Sequence, residues 1–600
     1  MVTNDIFFRN VDAIHNKYFN TNDFFDISKE LSEKASKGDG STDIMYPTSQ
    51  FASEWADNFR EQVIDRTFYL IGFSDGQFIS HLLDVTNSTN IIYVYEPSLR
   101  SFLYVLNTYD LTSVLSDKRL AVCVEGINGD SIFDIIVTTV NYSNYRLIMM
   151  GVLPGYDNYV EQYNKVKSIL QYRMEMVEFE KTTDMELAKV ARQNELKNLP
   201  DAVSQRSINQ LAERFAEINK SGSPAIIVSA GPSLDKNITE LKHAEGRAFI
   251  IVVDTALKAV LRAGIKPDIT VCIDPCKEIV FFKHEAIKNV PAVFGIDIPS
   301  DVIKDHEGSR FYIGSDESDI LDSFRREFKG ENYMTLSAGG SVANVAYSLA
   351  VKLGFTTIIL VGQDLAFTDG KGHTKDAYDD DKKNISDATD NRYICEVEAV
   401  GGGMVKTEVR MRSYIQWFEN SIKSMPQIDV IDATEGGALI HGSRIMTLKE
   451  AIETECTGGI IDYRNIIEEI KPEFTDDEKK DIDNYLKNID GELDRLSHTI
   501  ENGIAAYEQL RIAIDSKSQS MIKSSMEIIK KVNRLEEDEP LMSLVMKYTV
   551  EDKYAVKDEL YDSAADDTES AIRGGIKLLR SYMRGIENMK TETYLMTEQL

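Results

Sequence analysis

Residues able to hold a nucleotide and shift a proton stand at the ends of apolar runs. Ile226-Ile227-Val228 breaks abruptly into Ser229-Ala230-Gly231-Pro232-Ser233-Leu234 before a helical pattern resumes. The pattern reads as strand, tight turn and helix N-terminus. Gly231 lets a ligand approach the backbone, Pro232 presets φ for a first helical turn, and Ser233 offers a hydroxyl beside N–H groups at the positive end of the dipole. An anionic nucleotide group fits such a turn, although many crossovers use the same residues for packing alone. The run ending at Val253 leads into Asp254, and Pro267 to Ile273 leads into Asp274-Pro275. Ser337-Ala338-Gly339-Gly340-Ser341 opens a helix of small residues, after which Thr356 to Val361 ends in Gly362-Gln363-Asp364. Each aspartate alone is equally a cap or turn residue. Together they are candidate ligands of a nucleotide or of Mg²⁺.

Elements that place polar groups in this way are strands alternating with helices, the pattern of an open parallel sheet. Its ligands sit outside the carboxyl ends of the strands, where the strand order reverses. An earlier segment repeats the theme. Phe68-Tyr69-Leu70-Ile71-Gly72-Phe73-Ser74-Asp75-Gly76 reads as strand and glycine turn, and Ile91-Ile92-Tyr93-Val94-Tyr95-Glu96-Pro97 gives a strand ending in an acid. That acid lies about 20 residues on, the spacing of a nucleotide-binding βαβ half. The turn is Gly-x-x-x-Gly and not the full fingerprint, so a Rossmann-like or methyltransferase-like scaffold is favoured over a second ligand site. Tyr159 to Lys220 is helical and charged and reads as a solvated connector. Asp369 to Asn391 is rich in aspartate, carries Gly370, Gly372 and His373, and is expected to form a loop over the strand ends. Toward the C-terminus, Ile482, Leu486, Ile489, Leu493, Leu496 and Ile500 recur at alternating spacings of four and three, as do Ile572, Ile576, Leu579, Met583 and Ile586. These are long amphipathic helices expected to bury their apolar faces mainly on one another. The expected fold class is therefore α/β: Rossmann-like parallel-sheet domains, N-terminal (1–190, with the helical linker) and central (191–460), followed by a C-terminal helical bundle (461–600).

Composition narrows the function. The 600 residues include 67 Lys and Arg against 98 Asp and Glu, a formal net charge of −31. That balance opposes nonspecific nucleic-acid binding and anionic membrane surfaces, which need clustered basic residues. It permits a nucleotide held by local N–H groups with a little basic help, for which Lys236, Lys277 and Arg310 are candidates, although exposure is the commoner fate of such side chains. No apolar run reaches the ~18 residues of a spanning helix. The first residues lack the basic-then-apolar order of a signal peptide, so a cytoplasmic protein is expected. Cys123, Cys272, Cys276, Cys395 and Cys456 fit neither a disulfide framework nor a zinc pattern and are expected to be inert thiols.

Residues ~195 to ~455 resemble the central domain of the motility accessory factor glycosyltransferases, which attach nonulosonic acids to flagellin, with ends placed as loosely as sequence allows. The matching pieces are Ala230-Gly231-Pro232-Ser233-Leu234, Pro267-Asp268 with Asp274-Pro275, Gly339-Gly340-Ser341, Gly362-Gln363-Asp364-Leu365 with His373, and Asp432-Ala433-Thr434-Glu435-Gly436-Gly437. The N-terminal Rossmann-like segment resembles the domain that precedes the transferase in that family. The first, third and fourth pieces also resemble bacterial CMP-sialic acid transferases, in which the Gly-Pro-Ser turn and the Ser-Gly helix start hold CMP. The general-base histidine of those enzymes lies near a glycine shortly before the last helix of the domain. The corresponding place is near Gly401-Gly402-Gly403, where no histidine stands, and the role is assigned instead to His373.

The resemblance implies transfer of a nonulosonic acid (pseudaminic, legionaminic or sialic-acid-like) from a CMP-sugar to Ser or Thr of flagellin, in the service of flagellar assembly and motility. His373 and Asp364 would be catalytic, with Asp364 polarising His373 or binding a metal. Gly231, Pro232, Ser233, Asp254, Asp274, Gly339, Gly340, Ser341, Gly362 and Gln363 would bind the nucleotide. Flagellin would be the partner, and the exposed part of the helical bundle its receiver; a homo-oligomer is compatible with all of this. No cofactor is required beyond the donor, with Mg²⁺ left open. Two alternatives stand. The same domain type resembles archaeal hydroxymethylpterin diphosphokinases, which share the Gly-Pro-Ser-Leu turn and the Pro-Asp strand and transfer diphosphate from ATP with Mg²⁺. Length argues against that alternative, because two large flanking regions exceed what a small-molecule kinase needs. The other is a noncatalytic flagellin-binding chaperone that keeps only the fold.

Overall fold

A computed structural model of the chain describes residues 3–18, 27–35, 41–42, 44, 49–60, 66–129, 131–142, 144–218, 222–278, 286–314, 320–330, 336, 339–368, 370–375, 394–539, 541–552, 554–555 and 568–597. Most of the aspartate-rich segment expected to cover the strand ends lies outside the described residues, as do Ser337 and Ala338. Contacts divide the chain into two compact units, one of Met1–Met185 with Tyr507–Ile522 and Val550–Ser581, the other of Glu186–Ala506 with Lys523–Thr549 and Tyr582–Leu600.

The first unit is built on a parallel sheet of β1 (Thr67–Ile71), β2 (Ile91–Glu96), β3 (Leu120–Val124) and β4 (Ile148–Val152), in the order β3-β2-β1-β4. Side chains alternate between two cores, as a pleated strand covered on both faces requires. Phe68, Leu70, Ile92 and Val94 join Phe7, Phe78 and Phe102 on one face, while Tyr69, Ile71 and Tyr95 join Ile132, Ile136 and Val166 on the other. The turn after β1 is closed from within. Gly72 has φ +97°, and a Cβ there would lie 2.4 Å from the ring of Tyr156. Glu96 accepts hydrogen bonds from Phe73 N (2.7 Å), Ser98 N (2.7 Å) and the Tyr156 hydroxyl (2.6 Å). The acid that would face a ribose in a nucleotide-binding half thus holds its own turn together.

The second unit carries an eight-stranded parallel sheet. Its strands are β5 (Ala225–Val228), β6 (Phe249–Val253), β7 (Ile269–Cys272), β8 (Ala292–Gly295), β9 (Arg310–Ile313), β10 (Thr357–Val361), β13 (Asp429–Asp432) and β14 (Arg444–Ile445). A separate antiparallel hairpin is formed by β11 (Ile394–Glu398) and β12 (Met404–Glu408). The sheet order is β14-β13-β10-β5-β6-β7-β8-β9. The chain starts in the middle at β5, runs outward through β6 to β9, then returns to add β10, β13 and β14 on the other flank. The reversal falls between β5 and β10, neighbours in register from Ala225 opposite Ile358 to Val228 opposite Val361. The five consecutive residues of β6 and the four of β5 are all buried, the continuous apolar signature of a strand covered on both faces.

One expectation about packing changes. The connector is a helix, Val160–Val203, but its final part is no solvated linker. Asn194 donates to the carbonyls of Pro275 (3.1 Å) and Asp297 (2.8 Å), and Asn198 to those of Ile296 (2.8 Å) and Ile298 (2.7 Å). Two amides one helical turn apart satisfy loop carbonyls that burial would otherwise leave unpaired. The C-terminal helices bury Ile482, Leu493, Leu496, Ile500, Ile572, Leu579 and Ile586, with Leu486, Ile489, Ile576 and Met583 half-buried. Their charged side chains also form ion pairs. Glu478 of helix Asp476–Lys487 pairs with Lys329 at 2.6 Å, and Lys547 ends helix Met542–Lys547 in an ion pair with the fully buried Glu195. All five cysteines are free thiols, three of them buried.

Candidate functional site

The strand-order reversal brings two loops that are distant in sequence into one assembly. Ser229 N donates to Val361 O and Gly231 N to Gly362 O, both at 2.8 Å, which extends the β5/β10 ladder into the turns. Gly362 has φ +63°, and a Cβ there would fall 2.3 Å from the Ser229 carbonyl oxygen. Gly231 is needed for a steric reason: its Cβ would lie 2.0 Å from Asp364 Oδ1 and 2.5 Å from Gly362 O. Asp364 sits where a bound anion was expected. It accepts from Ser233 N at 3.3 and 3.2 Å, from the Ser233 hydroxyl and from the Thr368 hydroxyl. Burial raises its carboxyl above the ordinary range, while Ser233, Thr368 and the charge of Lys236 pull it back only in part. Gln363 is also buried, accepting from the Ser229 hydroxyl and donating its N–H to Thr434 Oγ1 at 3.3 Å.

This arrangement revises the role expected of Ser233. Both of its donors go to Asp364, so the Gly-Pro-Ser turn is occupied by a carboxylate of the protein itself. The expectation that Asp364 polarises His373 is replaced, among its described contacts, by partnership with Ser233 and Thr368.

His373 is half-buried and belongs to the same assembly through its neighbour. Thr374 is buried, donates its N–H to Ala230 O at 2.8 Å and its hydroxyl to Asp235, and is followed by Lys375, whose N–H reaches Asp235 Oδ2 at 3.3 Å. From below, the β11/β12 hairpin supports the segment after Asp364: Phe367 N donates to Lys406 O (2.9 Å) and Thr407 Oγ1 to Leu365 O (2.6 Å). Gly401-Gly402-Gly403 forms the exposed tip of that hairpin.

Asp254 and Asp274 follow β6 and β7 at the same edge of the sheet. Asp254 begins helix Asp254–Arg262 and forms a buried ion pair with Lys277 at 3.0 Å; the Lys277 ammonium also donates to Thr255 Oγ1 at 2.8 Å. Lys277 was expected to be exposed, and the opposite charge of Asp254 accounts for its burial. Asp274 is exposed and accepts from Cys276 N at 2.9 Å. Arg310 drops out of the phosphate candidates, because it opens β9 at the amino end of the strand and pairs with Asp201 at 3.2 Å. Mg²⁺ held jointly by Asp254, Asp274 and Asp364 does not fit these residues: the first is neutralised by a lysine and the third already takes three protein donors.

Gly339 (φ +50°) and Gly340 (φ +84°) lead into Ser341, the N-cap of helix Val342–Lys352, whose hydroxyl oxygen accepts from Asn344 N at 3.3 Å. A helix that precedes a parallel strand runs against it, which puts this N-terminus at the carboxyl edge of the sheet, beside the reversal. Tyr414 and Trp417 close over the two glycines, where added Cβ atoms would lie 2.8 and 2.6 Å from their rings. Asp432, quoted in a motif but given no role, ends β13 as a buried carboxyl raised to about 6, first by burial and further by the charge of Asp364. Its Oδ1 accepts from Thr434 N at 3.0 Å, and its Oδ2 has no hydrogen-bond partner among the described residues. Sequence reasoning also passed over Asp235, Thr368 and Thr374.

The chain resembles proteins of two descriptions. Residues 193–370, which hold β5 to β10, match the family model described as 6-hydroxymethylpterin diphosphokinase MptE-like. No curated protein matches. Over the whole chain there is similarity to the solved structure of a Maf glycosyltransferase from Magnetospirillum magneticum AMB-1, at 15% identity, covering 98% of each chain with a TM-score of 0.44.

Proposed function

We propose that the protein is a cytoplasmic glycosyltransferase that moves a nonulosonic acid from its CMP donor to Ser or Thr hydroxyls of flagellin, as flagellar assembly and motility require. What supports this reading most is one observation: the His373 segment is tied to the Gly-Pro-Ser turn at the point where the strand order reverses, the place where an open parallel sheet binds its ligand. Two of the sequence pieces that resemble CMP-sugar transferases, the Gly-Pro-Ser turn and Gly362-Gln363-Asp364, meet there.

In this mechanism the acceptor oxygen attacks the anomeric carbon as the bond from that carbon to the CMP phosphate oxygen breaks. His373 takes the hydroxyl proton, and the N-terminus of helix Val342–Lys352 at Gly340 and Ser341 stabilises the departing phosphate. Because Ser233 faces the Asp364 carboxylate whereas the Ser341 hydroxyl donates to the neutral Asn344 Oδ1 (2.9 Å), this second helix start is the better anion site of the two. Asp274, the one exposed carboxylate of the three, is left to orient the ribose or base.

A second reading is favoured by the family match over 193–370: diphosphate transfer from ATP to a pterin. The two readings separate by calorimetry on the full chain. The proposed function predicts binding of CMP without divalent metal and no binding of ATP with Mg²⁺. Binding of ATP that requires Mg²⁺, with none of CMP, would replace it by the diphosphokinase reading.

A further inference from the structure

The geometry points to Asp235 as a positioning residue that holds His373 over the strand ends through Thr374. This inference rests on the reading of His373 as general base and adds a residue that neither the motifs nor the resemblance singled out. Asp235 lies one residue after Leu234, just beyond the Gly-Pro-Ser turn. Its two carboxylate oxygens point at consecutive residues of the incoming segment: Oδ1 takes the Thr374 hydroxyl and Oδ2 takes the Lys375 amide at 3.3 Å. Thr374 N donates in turn to Ala230 O at 2.8 Å. Three hydrogen bonds therefore fix the two residues that follow His373 to both ends of one short turn.

Asp364 forms a second clasp on the other side, bridging Ser233 and Thr368. Thr368 and Thr374 are thus both tied to the same turn. A base must stay within hydrogen-bond reach of the hydroxyl it deprotonates, and a shift of about 1 Å can cost on the order of 10²-fold in rate. Thr374 is buried although its neighbours on either side are not, as expected of an anchor whose hydroxyl must keep its partner.

The test uses the full chain with CMP-pseudaminic acid and purified flagellin, together with ¹³C-histidine spectra in which the His373 line is identified by its loss in His373→Ala. Asp235→Ala and Thr374→Val should each lower kcat on the order of 10²-fold with donor KM unchanged, and should move the His373 line. Thr374→Ser, which keeps the hydroxyl, should restore both. The double variant Asp235→Ala/His373→Ala should be no slower than His373→Ala alone, because Asp235 acts only through that histidine. Additive losses, or an unmoved His373 line in Asp235→Ala, would overturn the role of Asp235 while leaving the base in place. Full activity in His373→Ala would remove the base and its anchor together.

Discussion

Replacing Gly231 by alanine isolates the contact on which the site is built. The φ of Gly231 lies outside the left-handed region, so alanine meets no backbone strain and its only penalty is space. The new methyl would sit 2.0 Å from Asp364 Oδ1 and 2.5 Å from the carbonyl oxygen of Gly362. That carbonyl cannot retreat, because it accepts Gly231 N at 2.8 Å at the end of the β5/β10 ladder. The carboxylate can turn away only by leaving Ser233. Overpacking costs about 1–3 kcal/mol, and loss of a hydrogen bond to a charged group adds about 1.5–3 kcal/mol. A local destabilisation of ~3 kcal/mol or more follows, which corresponds to roughly 10²-fold greater population of the opened turn. Unfolding of a chain with two units is not a two-state process, so native-state hydrogen exchange at Ser229, Gly231 and Ser233 is the suitable assay. Gly231→Ala should expose these amides selectively, and Gly231→Ala/Asp364→Gly should recover only part of the protection, since the clash with Gly362 persists. Wild-type exchange rates at all three amides would refute the clasp between the two turns.

His373→Ala should lose on the order of 10²–10⁴ in transfer rate, the usual contribution of a positioned base, with CMP affinity unchanged by calorimetry; wild-type transfer on intact flagellin, read by mass spectrometry, would exclude it as the base. Ser341→Ala should weaken CMP binding without unfolding the chain, whereas adding Gly340→Val, at φ +84° and 2.8 Å from Tyr414, should damage the helix start itself, so the single variant is the informative one; unchanged CMP affinity in folded Ser341→Ala would move the anion site elsewhere. For Asp432 the folded value of about 6 lies above the ordinary 3.8, so its stabilising contribution is complete below the ordinary value and is lost as pH rises through about 6. Across that window Asp432→Asn should gain up to ~3 kcal/mol relative to the unmodified chain, and a stability difference independent of pH between 4 and 7 would contradict the burial of an uncompensated carboxyl. Lys547→Met removes the ion pair with the buried Glu195 and should destabilise the second unit by ~3 kcal/mol; native-state hydrogen exchange around Glu195 unchanged from wild type would show that the ion pair carries no weight.

Six strands were legible, β1 and β2 of the first sheet and β5, β6, β7 and β10 of the second, because their apolar runs are continuous and lead into glycine turns or acids, as at Ile71, Val253 and Val361; β3, β4, β8, β9, β13 and β14 were not read from the sequence. The edge on which the polar residues gather was legible too, since every parallel strand points its carboxyl end the same way. Pairing across the reversal was not. Ser233 and Asp364 are 131 residues apart, and Asp235 and Thr374 are 139 apart, so no local periodicity encodes either contact. For the same reason the burial of Lys277 escaped notice, because an isolated lysine reads as exposed until its partner Asp254 is placed beside it. Asn194 and Asn198 carried a signal, two amides at helical spacing in a charged segment, but its meaning depends on loop carbonyls that only the tertiary fold supplies.

The central claim is transfer from a CMP-sugar at the β5/β10 reversal. Full-length protein incubated with CMP-pseudaminic acid and purified flagellin, and analysed by intact-mass spectrometry, should add one or more nonulosonic acid residues to flagellin with release of CMP, and Gly231→Ala should abolish the addition. Unmodified flagellin, in a preparation that instead converts ATP to AMP in the presence of Mg²⁺ and a hydroxymethylpterin, would contradict it.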